Sequence, residues 1–323
     1  MILRAMHIPD GFLDARTALA AAGLALAGLA VALPRVERCL PPQRTPLLGL
    51  GGAFVFAAQM LNFPIGGGTS GHLIGSVLIT ALLGPAAAVV VLTAVLLVQC
   101  LLFADGGILA LGANVLNMAI VAPLCGWLPL RWAQRGLGGR RGLLVGAFLG
   151  GFCGVVGASL VCAMQLALAG AVAWELALPA MGGVHALIGI GEGAITALVL
   201  GALQRVRPDL LVPWSANTID DAPALERGRA GLRTWALVAI GLLLALAPFA
   251  SELPDGLEYV AARLGFAGQA IAAATAPMPD YEAPFVTTPA LATIVAGVVG
   301  ALGVLALLWL LLRVRPLRWK ERG

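Results

Sequence analysis

Eight stretches of this chain, near residues 16–34, 46–62, 86–103, 107–127, 143–171, 183–204, 233–250 and 289–312, are long apolar runs. Each approaches the roughly 20 residues that a helix needs to cross about 30 Å of hydrocarbon. A ninth run, 72–83, is short: it begins after a glycine cluster and stops at Gly84-Pro85. It reads as a short helix sheltered by its neighbours, where irregular backbone at membrane depth can find partners. With 60% hydrophobic residues, 11% charged residues and a mean hydropathy of +0.96, a soluble domain is excluded. The start, MILRAMHIPDGFLDARTA, lacks the apolar h-region and small-residue cleavage site of a signal peptide. The reading is an all-α polytopic membrane protein.

Nine spans put the termini on opposite sides, and charge tests that parity. With the N-terminus outside, the loops expected inside hold Arg35, Arg38 and Arg44, then Arg131 to Arg141, then Arg205 to Arg233, with a basic C-terminal tail. Of the 20 Lys and Arg, all but Arg4, Arg16 and Arg263 fall inside. Such a bias supports an outside N-terminus and a cytoplasmic C-terminus. It also explains the net charge of +4 by the bilayer, with no nucleic acid partner. A Pro-rich, mixed-charge stretch, 206–232, reads as a cytoplasmic linker. It divides a seven-helix unit, 1–205, from a two-helix unit, 233–323, whose helices flank an acidic, Ala- and Pro-rich outside loop, 251–288.

The three histidines, His7, His72 and His185, all fall on the outer side of this topology, where imidazoles suit Zn, Cu or Ni. Unrelated, hydrogen-bonded histidines at helix ends are the plainer alternative. In Asn62-Phe-Pro-Ile-Gly-Gly-Gly-Thr-Ser-Gly-His72, glycines permit close backbone approach, and Thr69 or Ser70 can cap the helix that follows, holding His72 at its mouth. No Lys follows the glycines, so a phosphate loop fits poorly. His185 opens the seventh span. With Gly189 and Glu192 it occupies one face, and Glu192 is the only carboxylate inside any span. Ligand, proton relay and structural acceptor are all compatible with such a residue, and a structural or coupling role is favoured. The five cysteines show no C-x-x-C spacing and receive no role. The Ala- and Gly-rich first span suits close helix packing.

Three ordered motifs, MHIPDGFL, NFPIGGGTSGHLIG and HALIGIGEGAIT, resemble the CbiM/NikM substrate-binding subunits of energy-coupling-factor transporters over roughly residues 6–205. SELPDGLE at 251–258 resembles the PDGLE segment of their small CbiN/NikN companion, fused here at the C-terminus. The resemblance implies capture of Ni(II) or Co(II) as transported substrate, with no organic cofactor. The implied ligands are the amino group of Met6, the backbone nitrogen and imidazole of His7, and the imidazole of His72. Asn62, Ser70, His185 and Glu192 become supporting or coupling candidates. Fused chelate rings closed by a fourth nitrogen make a square plane, which suits Ni(II) or Cu(II). Residues Met1 to Ala5 depart from the pattern, because an internal Met6 has an amide where the family has an amine. The expectation is that the working chain starts at Met6.

The resemblance also implies partners: a transmembrane coupling subunit and cytoplasmic ATPases, in a bacterial cytoplasmic membrane. The chain itself has no Walker A sequence. Capture by neutral imidazole should fail as pH falls through about 6.5. The rivals are a self-sufficient channel or proton-coupled carrier using His185 and Glu192, an intramembrane metalloenzyme, for which H-E-x-x-H is absent, and a purely structural subunit.

Overall fold

The computed structural model describes residues 6–41, 44–211, 229–271 and 276–314. In chain order these form α1 (Ala15–Cys39), α2 (Thr45–Gln59), the hairpin β1 (Phe63–Gly66) and β2 (Thr69–Gly71), α3 (Ser76–Leu83) and α4 (Pro85–Phe103). A continuous helix follows, made of α5 (Leu111–Asn114), a π-helical stretch Val115–Val121 and α6 (Ala122–Leu137). Next come α7 (Gly139–Leu168), α8 (Trp174–Val206), α9 (Arg229–Leu246), α10 (Gly256–Leu264) and α11 (Pro289–Val314). The protein is an all-α polytopic membrane protein. Among the described residues, α1, α4, Leu111–Leu137, α7, α8 and most of α11 are long and apolar enough to cross a membrane. Three of the nine expected spans are met by shorter apolar helices: α2, α3 and Ala239–Phe249.

The loops gather at two ends. At one, the Arg44 guanidinium donates to the Leu82 carbonyl at 2.9 Å and the Asp209 carbonyl at 3.2 Å, joining three loops that the charge pattern assigns to the inside. At the other, Ser251 N–H donates to Asn62 O at 2.8 Å, Ile271 N–H to Asp10 O at 2.8 Å and Met278 N–H to Leu102 O at 3.0 Å. These are loops expected outside. The short α3 therefore counts as a pass through the bundle, sheltered by packing. On α1, Leu19, Leu24, Leu26 and Val31 stand exposed, an apolar face suited to lipid.

Close packing sets the interior. A Cβ on Gly151 of α7 would lie 2.8 Å from the Gly193 Cα of α8, so these helices meet backbone to backbone. The C-terminal helices share the same apolar core. A Cβ on Gly52 of α2 would come within 2.8 Å of Val304 and Leu308 on α11, and Phe56, Val304 and Leu308 are all buried together.

Several local expectations are corrected. α8 begins at Trp174, so His185 stands about three turns inside it, not at its mouth. Pro179 and Gly182-Gly183 weaken the apolar signal without stopping the helix, because packing against α7 overrides local propensity. Thr69 and Ser70 do not cap α3. They belong to β2, paired antiparallel with β1, and the position before α3 is Gly75, whose φ of 73° glycine alone adopts freely. The helices run beyond the expected spans, so that Glu37 lies near the end of α1 and Glu175 at the start of α8, while Glu192 is fully buried. Most of the expected linker, 212–228, falls outside the described residues.

Candidate functional site

The site is built on the segment Met6–Gly11, which the chain pins to the loop before α5. Pro9 and Gly11, the latter with φ of 94°, turn the segment back so that Asp10 faces that loop. Its carboxylate accepts three successive backbone N–H groups: Ile108 at 3.1 Å, Leu109 at 2.9 Å and Ala110 at 3.1 Å. Two residues earlier, Ile8 and the Asn114 side chain exchange a reciprocal pair of bonds, each of 3.0 Å, and Gly107 N–H donates to Ile8 O. A Cβ on Gly106 would stand 3.0 Å from the His7 Cβ and 2.9 Å from Asn114 Nδ2, so glycine is needed for this approach. The result is a histidine only 2% exposed and fixed in place.

His72 arrives from the opposite direction, at the end of the hairpin. Both oxygens of Glu192 in α8 accept backbone N–H groups just beyond it, Ile74 at 2.6 Å and Gly75 at 2.9 Å. On its other side, Ser70 N–H donates to Pro254 O at 2.9 Å and its hydroxyl to Leu253 O at 2.7 Å. The Thr69 hydroxyl also donates to Pro254 O. His72 is thus held between α8 and the outer loop of the C-terminal unit.

The imidazoles of His7 and His72 meet edge to face, with ring centroids 5.6 Å apart. They line a cavity of about 70 Å³, together with Met6, His185, Asn117 and Asp255. His7 Nε2 and His72 Nδ1 are buried without a hydrogen-bond partner. Asp105 Oδ1 stands 2.9 Å from His7 Nδ1 and accepts Met6 N–H at 2.9 Å. Asp255 Oδ2 is 3.9 Å from His72 Nδ1. The His185 ring bonds the Met181 carbonyl through Nδ1 at 2.8 Å. A carbonyl only accepts, so that nitrogen carries the proton and the neutral ring's Nε2 does not.

Burial favours a neutral His72 ring. Burial, then the nearby His7, hold His72 down at about 3. For Asp105, burial acts to raise the carboxyl, but His7 and the Tyr281 hydrogen bond outweigh it, and the group titrates below the usual carboxylate range. Burial and the adjacent Glu258 push the Asp255 carboxyl up.

Of the residues singled out from sequence, Met6, His7, His72 and His185 share the cavity. Asn62, Ser70 and Glu192 do not line it: Asn62 and Ser70 tie the hairpin to the C-terminal unit, and Glu192 secures the segment after His72. Among the described residues, no three or more His, Cys, Asp or Glu side chains form a metal-holding group. A metal here would need backbone nitrogen as well as the two imidazoles. Sequence reasoning missed Asp10, Asp105, Asn114 and Asp255. A carboxylate followed by two glycines at the end of an apolar run, Asp105-Gly106-Gly107, was a signal for one of them.

Comparison with known proteins fits this arrangement. The family described as "Cobalt uptake substrate-specific transmembrane region" (CbiM) matches residues 7–210, and the PDGLE domain matches 229–316. A putative fused nickel transport protein NikMN of Archaeoglobus fulgidus is 38% identical, over 94% of this chain and 96% of its own. The fused nickel transport protein NikMN of Rhodobacter capsulatus is 33% identical, over 91% and 94%. A crystal structure of a transition metal transporter superposes with a TM-score of 0.56 at 34% identity, covering 70% of this chain and 99% of that one. The chain belongs to the CbiM family of substrate-specific transmembrane regions and carries a PDGLE domain at its C-terminal end.

Proposed function

We propose that this protein is the substrate-capturing membrane subunit of an ATP-driven energy-coupling-factor importer for nickel or cobalt. The ligands are the nitrogen of Met6, the backbone nitrogen and imidazole of His7, and the imidazole of His72. The observation that carries this reading is the buried His7–His72 pair, two imidazoles edge to face on one cavity with Met6 beside them. His7 Nε2 and His72 Nδ1 are buried without a hydrogen-bond partner, which is rare for polar atoms. Two imidazoles on one ion, about 2 Å away, have centroids roughly 4.5 Å apart at a right angle and roughly 6.3 Å apart when opposed. In the proposed square plane the two imidazoles are neighbours, so the observed 5.6 Å closes by about 1 Å when the ion binds. The nearby Asp105 carboxylate adds attraction for a divalent cation.

Capture faces the outside, and release requires partners: a membrane coupling subunit and ATPases on the cytoplasmic face of a bacterial inner membrane. A self-contained proton relay through His185 and Glu192 draws no support. Both Glu192 oxygens are engaged by backbone N–H groups and His185 Nδ1 by a carbonyl.

Nickel titration of the chain beginning at Met6, beside its His72→Ala variant, tests the reading. The variant should lose at least about a hundredfold in affinity, or ~2.7 kcal/mol; equal binding by the two would refute it. A second comparison tests the nitrogen of Met6. An internal amide must lose a proton to ligate, whereas an amine supplies its lone pair at lower cost. The chain retaining Met1 to Ala5 should therefore bind nickel more weakly than the chain starting at Met6, and equal affinities would remove Met6 from the ligand set.

A further inference from the structure

Asp105 stands between the metal-capturing segment and the C-terminal unit. Its Oδ1 accepts the N–H of Met6 and lies 2.9 Å from His7 Nδ1, while its Oδ2 accepts the hydroxyl of Tyr281 at 2.6 Å. Tyr281 comes from the far part of the chain, within the outer loop that precedes α11. Its ring lies flat on Phe103, at a centroid distance of 4.7 Å and an angle of 10°, with Phe56 at 6.2 Å. Close by, Met278 N–H donates to Leu102 O. Tyr281 thus adds a junction between the two units to those at Asn62, Ser70 and Asp10.

Two features set Tyr281 apart from an aromatic filler. The first is its backbone. Asp280 and Tyr281 have φ of 55° and 58°, the left-handed region that bulky residues avoid unless surrounding contacts enforce it. The second is its hydroxyl. A phenylalanine would fill the same space and stack on Phe103 without carrying a polar group into the core. The hydroxyl instead meets a carboxylate that is 3% exposed and whose other oxygen is engaged by the N-terminal segment.

We propose that Tyr281 and Asp105 form a positioning latch, through which the C-terminal unit holds Met6 and His7 in the geometry that captures metal. The hydroxyl fixes the rotation of the carboxylate. The carboxylate then fixes the direction of the Met6 nitrogen, and it yields His7 Nδ1 to the ion, since that nitrogen closes the chelate ring with the His7 backbone nitrogen. Tyr281 touches no metal and acts only through Asp105. The fused C-terminal unit is in this way part of the capture site. The inference rests on the nickel or cobalt reading above and adds a residue to it.

The test is nickel titration of the purified chain running from Met6 to Gly323, unsubstituted and as Tyr281→Phe, Asp105→Asn and the double variant, with His72→Ala alongside and a melting curve for each. Tyr281→Phe keeps the ring and its stack, so its melting temperature should stay within a few degrees of wild type while nickel affinity falls about tenfold. Asp105→Asn should lose more, because it also removes the charge. The double variant should bind no more weakly than Asp105→Asn alone, since the hydroxyl works through the carboxylate; a merely structural tyrosine would give no such coupling. Wild-type affinity in Tyr281→Phe, or losses that add in full, would overturn the latch. If Tyr281→Phe proves unstable, Asp105→Asn decides alone, and unchanged affinity there overturns the latch equally. Nickel binding that survives in His72→Ala would refute the metal reading itself, and the latch with it. Loss in His72→Ala with none in Tyr281→Phe would refute only the latch.

Discussion

At the scale of single residues, the site depends on carboxylates whose partners lie about a hundred positions away. Asp10 is the simplest case, since three backbone N–H groups converge on its side chain. Asp10→Ala strips them all, and bonds to an ionised group are worth about 1.5–3 kcal/mol each when well formed. That side chain is partly open to solvent, so the net loss should be nearer the lower figure in total, or about tenfold in nickel affinity. Calorimetric titration would measure it, and an unchanged affinity would mean that Ile8 and Asn114 suffice to hold the segment. The histidines were legible because the chain has only three and the motifs around them are ordered. Asp105 and Tyr281 were not. Their roles come from pairing across 176 positions, which no local spacing encodes.

At the scale of elements, the decisive piece is the hairpin leading into α3. The two residues that lead into the helix, Ile74 and Gly75, are held by Glu192 and not by a neighbouring Ser or Thr. Glu192→Gln replaces one acceptor with an amide NH2, so a buried backbone N–H faces a donor, at a cost of about 1–3 kcal/mol. Hydrogen exchange at Ile74 and Gly75 should quicken, and nickel binding should weaken about tenfold; unaltered protection at both amides would contradict the assignment. Helix packing yields a separate expectation. Gly151→Val would drive a side chain into the Gly193 backbone and should lower the melting temperature, since overpacking costs about 1–3 kcal/mol. A melting temperature equal to wild type would show that the helices can separate there. The long apolar helices were legible from hydropathy alone. The start of α8 was not, because Pro179 and two glycines interrupt a helix that tertiary contacts sustain. The hairpin was equally hidden: its strands are three and four residues long and rich in glycine, with no alternation to read.

At the scale of the whole molecule, the charge pattern recovered what hydropathy left open. α3 is too short to register as a span, yet the ends of the bundle alternate as though it crosses. Sequence also marked the C-terminal pair as a distinct unit. Its closure over the His7–His72 cavity was not legible, because Asp255 reaches that cavity and Tyr281 reaches Asp105 only through the folded loop between α9 and α11. In proteoliposomes, the chain by itself should bind nickel but not accumulate it, and uptake should appear only with the coupling and ATPase partners and ATP. Accumulation without them would instead favour a carrier. The central claim is that nitrogen donors from Met6, His7 and His72 close around one ion. X-ray absorption at the nickel edge of the loaded protein examines this most directly. The account predicts four nitrogen donors at about 2 Å, with the multiple-scattering signature of two imidazoles. A first shell containing sulfur or carboxylate oxygen, or lacking the imidazole signature, would contradict it.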